Sequence, residues 1–329
     1  MSQRFRDRLE LISYPTRLEE LKNLRKVLNA KQRLFIKRDD LTEIGLGGNK
    51  NRKLDYVMKE AVDNGADTII TFGAKQSNHC RQTLAYAVHL GLECHLFLTG
   101  EDDTPHQGNL FIYDIFGAHL HFVEDENDFP IVSENLTAEL IAKGKKPYVI
   151  KFAASSPLGA LGYIDSIQEI SEQAKVVGAD IGHLFLASGS GGTQAGAEVG
   201  ARLFLPNAKI HGVSVSRKYD EQAPKIADLA TQTATFIGRN FIFEKSDIII
   251  HDKYFGEKYG IPTVLGIDAI KLLGRTEAIL LDPVYTGKAF SALLDLLQKG
   301  ELDDGRDIAF LHTGGYPAIF NFTEAFYEK

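Results

Sequence analysis

Short apolar runs rich in β-branched and aromatic residues alternate along the chain with segments whose apolar residues recur at helical spacing. The runs predict strands over residues 34–37, 68–72, 94–98, 119–123, 148–152, 184–187, 210–215, 248–250 and 308–312. Between them, Leu54, Val57, Met58, Ala61 and Val62 fall on one helical face, and Asn64-Gly65 predicts the stop of that helix. A second helix is predicted over about residues 78–90, with Ser77 as N-cap and Gly91 just past its end. Strand and helix in regular succession predict an α/β fold of mostly parallel sheets flanked by helices. No short repeat, low-complexity tract or linker marks a domain boundary. In such folds ligands bind at the carboxyl ends of strands, which narrows the search for a site.

Composition changes this picture little. The 329 residues suffice for two lobes, 44% are hydrophobic and 25% charged, as in an ordinary globular protein. A net charge of −7 without a basic cluster argues against nucleic-acid binding. The start, MSQRFRDRLELISYP, has no signal-peptide apolar core, and no apolar run approaches the ~18 residues of a membrane span. Cys80 and Cys94 cannot build a disulfide framework and suit a reducing compartment, so a cytoplasmic protein is expected.

The strand ending at Ala187 runs into Ser188-Gly189-Ser190-Gly191-Gly192-Thr193, and a helical stretch follows. Glycines let backbone N–H groups converge, hydroxyls add donors, and the helix dipole favours an anion. The loop is a phosphate cradle or a plain flexible connection. It is not a dinucleotide fingerprint, because Gln194 stands where Gly or Ala is required, nor a P-loop or a nucleophile elbow.

Gly47-Gly48-Asn49-Lys50 opens the helix beginning near residue 51. Glycines there allow close approach of a ligand, and the positive helix end lowers the pKa of a nearby amine. A neutral Lys50 amine forms a Schiff base with an aldehyde. Taken alone, a lysine after two glycines is more often a solvated surface residue. Arg52 and Lys53 either supply charge to a phosphate or are exposed helix residues. Ser77 in Gln76-Ser77-Asn78-His79 is an ordinary N-cap or a hydroxyl for a substrate carboxylate. His79 is a ring donor or a capping or core residue, and Cys80 reads as a small buried hydrophobe. His119 and His121 share a strand face without a third ligand, so no metal site is expected.

Together, GGNK followed by RKLDY, QSNH followed by RQT, the SGSGGT loop, DPVYTGKA and HTGG occur in this order at fitting separations. The chain thereby resembles the fold-type-II pyridoxal-5′-phosphate enzymes, the tryptophan-synthase β superfamily. The resemblance spans Lys37 to Gly315 and is nearest to the branch holding D-cysteine desulfhydrase, 1-aminocyclopropane-1-carboxylate deaminase and cysteate sulfo-lyase. It implies that Lys50 holds the cofactor and acts as general base, and that Asn78 meets the cofactor's 3-oxygen. It implies a phosphate held by Gly189, Ser190, Gly191, Gly192 and Thr193 with Lys53 nearby. Ser77 is implied on the face opposite Lys50, with Ser77, Asn78 and His79 meeting the substrate carboxylate. Tyr259 and Tyr285 are implied as catalytic residues lining the substrate pocket. The family further implies a homodimer and a small domain of residues 51–161 inserted into a large one of residues 1–50 and 162–329.

Thr286 and Thr313, both implied by the resemblance as cofactor contacts, discriminate within the branch. The deaminase pattern has glutamate after the DPVY tyrosine and leucine in place of Thr313, whereas threonine at both matches the desulfhydrase pattern. A carboxylate at the pyridine nitrogen makes a strong electron sink, which opening a cyclopropane demands; eliminating a thiolate demands less. β-Elimination of D-cysteine to pyruvate, hydrogen sulfide and ammonia is therefore expected. The deaminase, sulfo-lyase and racemase activities are alternatives on the same scaffold, and a non-catalytic phosphate- or nucleotide-binding protein is the alternative from another class. Ala153-Ala154-Ser155 replaces a usual Gly-Gly-Ser, Lys75 replaces an apolar or neutral residue, and Val264-Leu265 stands where relatives tend to be acidic.

Overall fold

The computed structural model describes residues 7–102 and 105–327. Among these residues, ten strands and ten α-helices form two sheets flanked by helices. The six-stranded sheet has the order β1 (Leu18–Glu20), β2 (Leu34–Lys37), β10 (Asp307–Leu311), β7 (Ile181–Ser188), β8 (Lys209–Ser214), β9 (Ile249–His251). Its strands pair in parallel except β1, which pairs antiparallel to β2. The four-stranded sheet is parallel, in the order β5 (His119–Val123), β4 (Glu93–Thr99), β3 (Thr68–Ala74), β6 (Pro147–Val149).

Each expected strand forms, most with ends shifted by a residue or more. The run expected over residues 148–152 stops as a strand at Val149, because Phe152–Ala154 closes into a 3-10 turn with Ala153 at φ 56°. β1 was not expected: its LEE sequence has no apolar alternation, and it exists only by pairing with β2.

The helices place the site. α2 (Asn49–Asp63) buries Leu54, Val57, Met58 and Ala61 against the smaller sheet's core and ends at Asn64, as the sequence predicts. α3 (Asn78–His89) begins where Ser77 Oγ accepts the Cys80 N–H at 3.2 Å. α6 (Pro157–Val176), α7 (Gly192–Phe204), α8 (Tyr219–Phe236), α9 (Val264–Glu277) and α10 (Thr286–Gln298) cover the larger sheet, while α4 (Asn109–Phe116) and α5 (Phe129–Ala142) cover the smaller. α1 (Lys22–Leu28) packs Leu24 into the larger core.

Arg52 is neither a phosphate ligand nor an exposed helix residue. It is wholly buried, with Nε donating to Asp39 Oδ2 at 2.8 Å and Nη1 and Nη2 donating to Glu169 at 2.9 and 2.7 Å. Lys37 joins the same cluster through Glu169 at 2.6 Å, and Tyr163 donates to Asp39 at 2.9 Å. Such a cluster fixes register and orientation more than it adds net stability. Here it clamps α2 to β2 and α6, and so sets where Lys50 starts that helix.

Among the described residues no helix is long and apolar enough to cross a membrane, and no cluster suits a metal ion. Cys80 and Cys94 are buried free thiols.

Candidate active site

The carboxyl ends of β3, β7 and β8 and the turn before α2 surround one cavity of about 440 Å³. That size suits a small ligand.

Gly48, at φ +124°, leads into α2 through a turn in which its N–H donates to Thr42 Oγ1 at 2.8 Å. A Cβ at Gly48 would lie 2.7 Å from Gln82 Nε2 and 3.2 Å from the Thr313 carbonyl, so glycine is required by space as well as by φ. The next residue is tied down by its N–H to Thr313 O at 3.0 Å. Lys50 then projects into the cavity, and among the described residues its amine has no hydrogen-bond or ion-pair partner. Burial lowers its pKa to about 8, which makes a neutral amine accessible near physiological pH.

The loop between β7 and α7 is an anion site by its backbone. No acceptor among the described residues takes the N–H groups of Ser190, Gly191, Gly192 or Thr193. A Cβ on Gly192 would lie 2.7 Å from both Lys53 Nζ and Ser155 Oγ, so the cradle closes only around glycine. Ser155 Oγ and Ser190 Oγ are 2.8 Å apart, and Asn49 Nδ2 donates to Thr193 Oγ1 at 2.9 Å. Lys53 lies behind the loop, fully buried, and among the described residues its only partners are the Ala153 carbonyl at 3.2 Å and Ser155 Oγ at 3.3 Å. Burial, and then the charge of Lys50, lowers its pKa far below the usual lysine value. A buried ammonium with neutral partners and a nest of open N–H groups both call for an anion.

On the other wall, Ser77 caps α3 and Asn78 and His79 begin it, and no acceptor among the described residues takes the N–H groups of Asn78 or His79. Asn78 Oδ1 accepts from Arg81 Nη2 and Asn109 Nδ2, each at 3.2 Å, which leaves its amide nitrogen for a ligand. The His79 ring is committed elsewhere: Nε2 meets Thr71 Oγ1 at 2.9 Å and Nδ1 meets Thr83 Oγ1 at 3.4 Å. Burial and then the charges of Lys50 and Lys53 lower its pKa, so the ring is neutral and only its backbone N–H is available.

Tyr259 and Tyr285 both line the cavity and hydrogen-bond each other through their hydroxyls. Burial is the main cause raising both pKa values, so both stay protonated at neutral pH. Tyr285 is presented by Asp282, whose Oδ2 accepts the N–H groups of Val284 and Tyr285 at 2.8 Å each.

The same turn decides the fate of Thr286. Its hydroxyl donates to Asp282 Oδ1 at 2.7 Å and accepts the Asp282 N–H at 2.7 Å, and it is buried off the cavity wall. Thr313 does line the cavity, and its hydroxyl has no partner among the described residues. Lys75 is drawn away to the Glu101 carbonyl at 3.2 Å and does not line the cavity. Sequence reading missed Thr99, Glu126, Phe152 and Arg217, all on the wall. Thr99 ends β4 and Arg217 follows β8, so the rule that sites lie at strand carboxyl ends reaches both. Glu126 and Phe152 sit in 3-10 turns and carry no comparable sign.

A desolvated amine and an anion cradle in one cavity between two α/β sheets define an enzyme that holds a phosphorylated aldehyde. The residues fit pyridoxal phosphate: the loop offers open N–H groups to a phosphate, and Lys50 offers an amine to an aldehyde. The chain matches the family model for "Pyridoxal-phosphate dependent enzyme" over residues 9–314, and it belongs to that family. It is 42% identical over 321 residues to D-cysteine desulfhydrase of Salmonella paratyphi C (strain RKS4594), covering 96% of each chain. It is 43% identical over 320 residues to D-cysteine desulfhydrase of Yersinia pestis (strain Pestoides F), again covering 96% of each. The crystal structure of an ACC deaminase homologue superposes with a TM-score of 0.89 at 35% identity, covering 99% of both chains. Threonine deaminase isoform 2 from Solanum lycopersicum shares the fold, with a TM-score of 0.66 at 17% identity over 95% of this chain and 83% of that one.

Proposed function

We propose that the protein catalyses β-elimination of D-cysteine, releasing pyruvate, hydrogen sulfide and ammonia. The observation that carries this reading is the Lys50 amine, without a partner among the described residues in the cavity that also holds the anion cradle. The substrate follows from the names of the relatives just given and from the threonine at position 313.

Pyridoxal phosphate supplies an aldehyde for the substrate amine and a ring that takes up electron density from Cα. Lys53 and the N–H groups of Ser190, Gly191, Gly192 and Thr193 would hold its phosphate. Gly189 precedes these donors on the cavity wall and leaves room for the ring. Asn78 Nδ2 would donate to the ring's 3-oxygen, and Thr313 Oγ1 would meet the ring nitrogen. A hydroxyl there leaves the nitrogen largely neutral, which suffices when the leaving group is a thiolate. Thr286 acts only by capping the turn that presents Tyr285.

Ser77 Oγ and the N–H groups of Asn78 and His79 bind the substrate carboxylate at the positive end of α3. Lys50 Nζ, whose pKa burial lowers to about 8, takes the Cα proton in its neutral form. The Tyr259–Tyr285 hydroxyl pair lies at the substrate end and gives a proton to the departing sulfur. Aminoacrylate, once released, adds water and loses ammonia to become pyruvate.

The lobes divide as residues 51–161 against 1–50 and 162–329, and the active species is a cytoplasmic homodimer. The family resemblance supports the dimer, and the two free cysteines support the compartment. Sedimentation at working concentration tests the dimer.

The activity is tested by measuring pyruvate from D-cysteine, L-cysteine, β-chloro-D-alanine, cysteate and 1-aminocyclopropane-1-carboxylate in parallel. D-Cysteine is expected to give the highest kcat/KM, with sulfide formed in equal amount. Turnover confined to the cyclopropane substrate or to cysteate contradicts the reading.

A further inference from the structure

Arg81 is the buried charged group that the reading above leaves without a task. It lies on the first turn of α3, is wholly buried, and makes no ion pair among the described residues. Its Nη1 donates to the Gly45 carbonyl, and its Nη2 to the Gly47 carbonyl at 3.4 Å and to Asn78 Oδ1 at 3.2 Å. Its Nε has no partner among the described residues. The titratable groups facing it are Tyr113 from α4 and Tyr316 from the turn at Tyr316–Asn321. Burial raises the pKa of both, so neither supplies a negative charge at neutral pH. Burial lowers the Arg81 pKa only to about 10, and the cation persists at neutral pH.

A buried guanidinium without a carboxylate is costly to keep, yet three of its contacts are with segments that build the site. Gly45 and Gly47 belong to the turn that delivers Lys50, and Asn78 faces the cavity from the opposite wall. Asn109 Nδ2 shares Asn78 Oδ1 at 3.2 Å, so the amide oxygen is held twice and the amide nitrogen is aimed at the ligand. A cation on an amide's oxygen strengthens that amide's N–H donors, because hydrogen bonds in series polarise one another.

We propose that Arg81 is a positioning residue that aims and polarises the Asn78 amide toward an anionic oxygen on the bound cofactor's ring. The proposal rests on the reading that Asn78 meets that oxygen. Arg81 then acts through Asn78 and touches neither cofactor nor substrate. By strengthening the Asn78 donor it favours the anionic ring oxygen over the protonated form of the bound chromophore, so removing it moves the chromophore's titration to higher pH.

The test is a pH titration of the visible absorption of the holoenzyme in Arg81→Gln, Arg81→Lys, Asn78→Ala and the double variant Asn78→Ala/Arg81→Gln. Arg81→Gln is expected to raise the midpoint by about one pH unit, with Arg81→Lys shifted less because the charge remains. Asn78→Ala is expected to shift it at least as far, and adding Arg81→Gln to Asn78→Ala is expected to add nothing. Should Arg81→Gln not fold, a smaller upward shift in Arg81→Lys that vanishes in the Asn78→Ala background supports the proposal. An unchanged midpoint in the Arg81 variants beside a shifted one in Asn78→Ala overturns it and leaves the Asn78 reading intact. An unchanged midpoint in Asn78→Ala overturns both.

Discussion

The Tyr259 hydroxyl hydrogen-bonds the Tyr285 hydroxyl in the cavity wall, with the rings edge to face at a centroid separation of 5.9 Å and an interplanar angle of 71°. Tyr285 is held by the Asp282 turn, whereas Tyr259 is 42% exposed on a loop tied by Lys288 Nζ to the Phe255 carbonyl at 2.8 Å. The pair therefore has a member fixed by its turn and one open to solvent. Tyr285→Phe is expected to lower kcat by about 100-fold with a smaller change in KM, as loss of a proton donor does. Tyr259→Phe is expected to cost less, since water reaches its place. Steady-state kinetics with D-cysteine check both; an unaltered kcat in Tyr285→Phe removes the pair from proton transfer.

Ala153 and Ala154 occupy left-handed backbone at φ 56° and φ 48°, where a Cβ is unfavourable. Their loop also supplies the carbonyl that Lys53 holds. Ala154 is 1% exposed, so the strain is locked in by packing. Ala153→Gly is expected to remove about 1 kcal/mol of strain, partly offset by the freer unfolded chain. Urea unfolding of the apoenzyme measures it. A loss of more than about 1 kcal/mol contradicts the strain argument.

Two ladders of imidazoles cross the sheets. In the larger, His183 Nδ1 meets His211 Nε2 at 3.0 Å and His211 Nδ1 meets His251 Nε2 at 2.9 Å; in the smaller, His95 Nδ1 meets His121 Nε2 at 3.0 Å. Burial is the first cause lowering each pKa, to about 2 for His211 and about 4 for His95. The unfolded chain, with histidines near 6.5, thus binds protons that the folded chain refuses. Stability is full above pH ~6.5 and falls as the pH drops below it, by about 1.4 kcal/mol per pH unit for each histidine that charges only on unfolding. His106, raised chiefly by its bonds to Asp102 and Asp114, works with the opposite sign, but screening at the surface weakens it. Denaturant unfolding between about pH 7 and 5 should show a steep loss. A flat profile there contradicts neutral ladders.

The strands and the caps were legible because their signals are local. Ser77 caps α3 by a bond to a residue three positions on, and the glycine loop carries its anion chemistry in its own backbone. Distance in sequence hid the rest. Arg52 finds Glu169 117 residues away, so its helix position could not show whether it faced phosphate or core. Thr286 was read as a cofactor contact from its motif, but Asp282 takes its hydroxyl and turns it from the cavity. The same motif nevertheless placed Tyr285 on the cavity wall. Asn78 was legible as a ligand residue, while the guanidinium that aims it appears only once α3 meets the turn before Lys50.

Everything proposed for this site depends on Lys50 holding the cofactor. Borohydride reduction of the holoenzyme, followed by proteolysis and mass spectrometry, is the direct measurement. The expected result is one pyridoxyl-phosphate adduct, on Lys50, absent from Lys50→Ala. An adduct on Lys53 or another lysine, or visible absorption and sulfide release undiminished in Lys50→Ala, contradicts it.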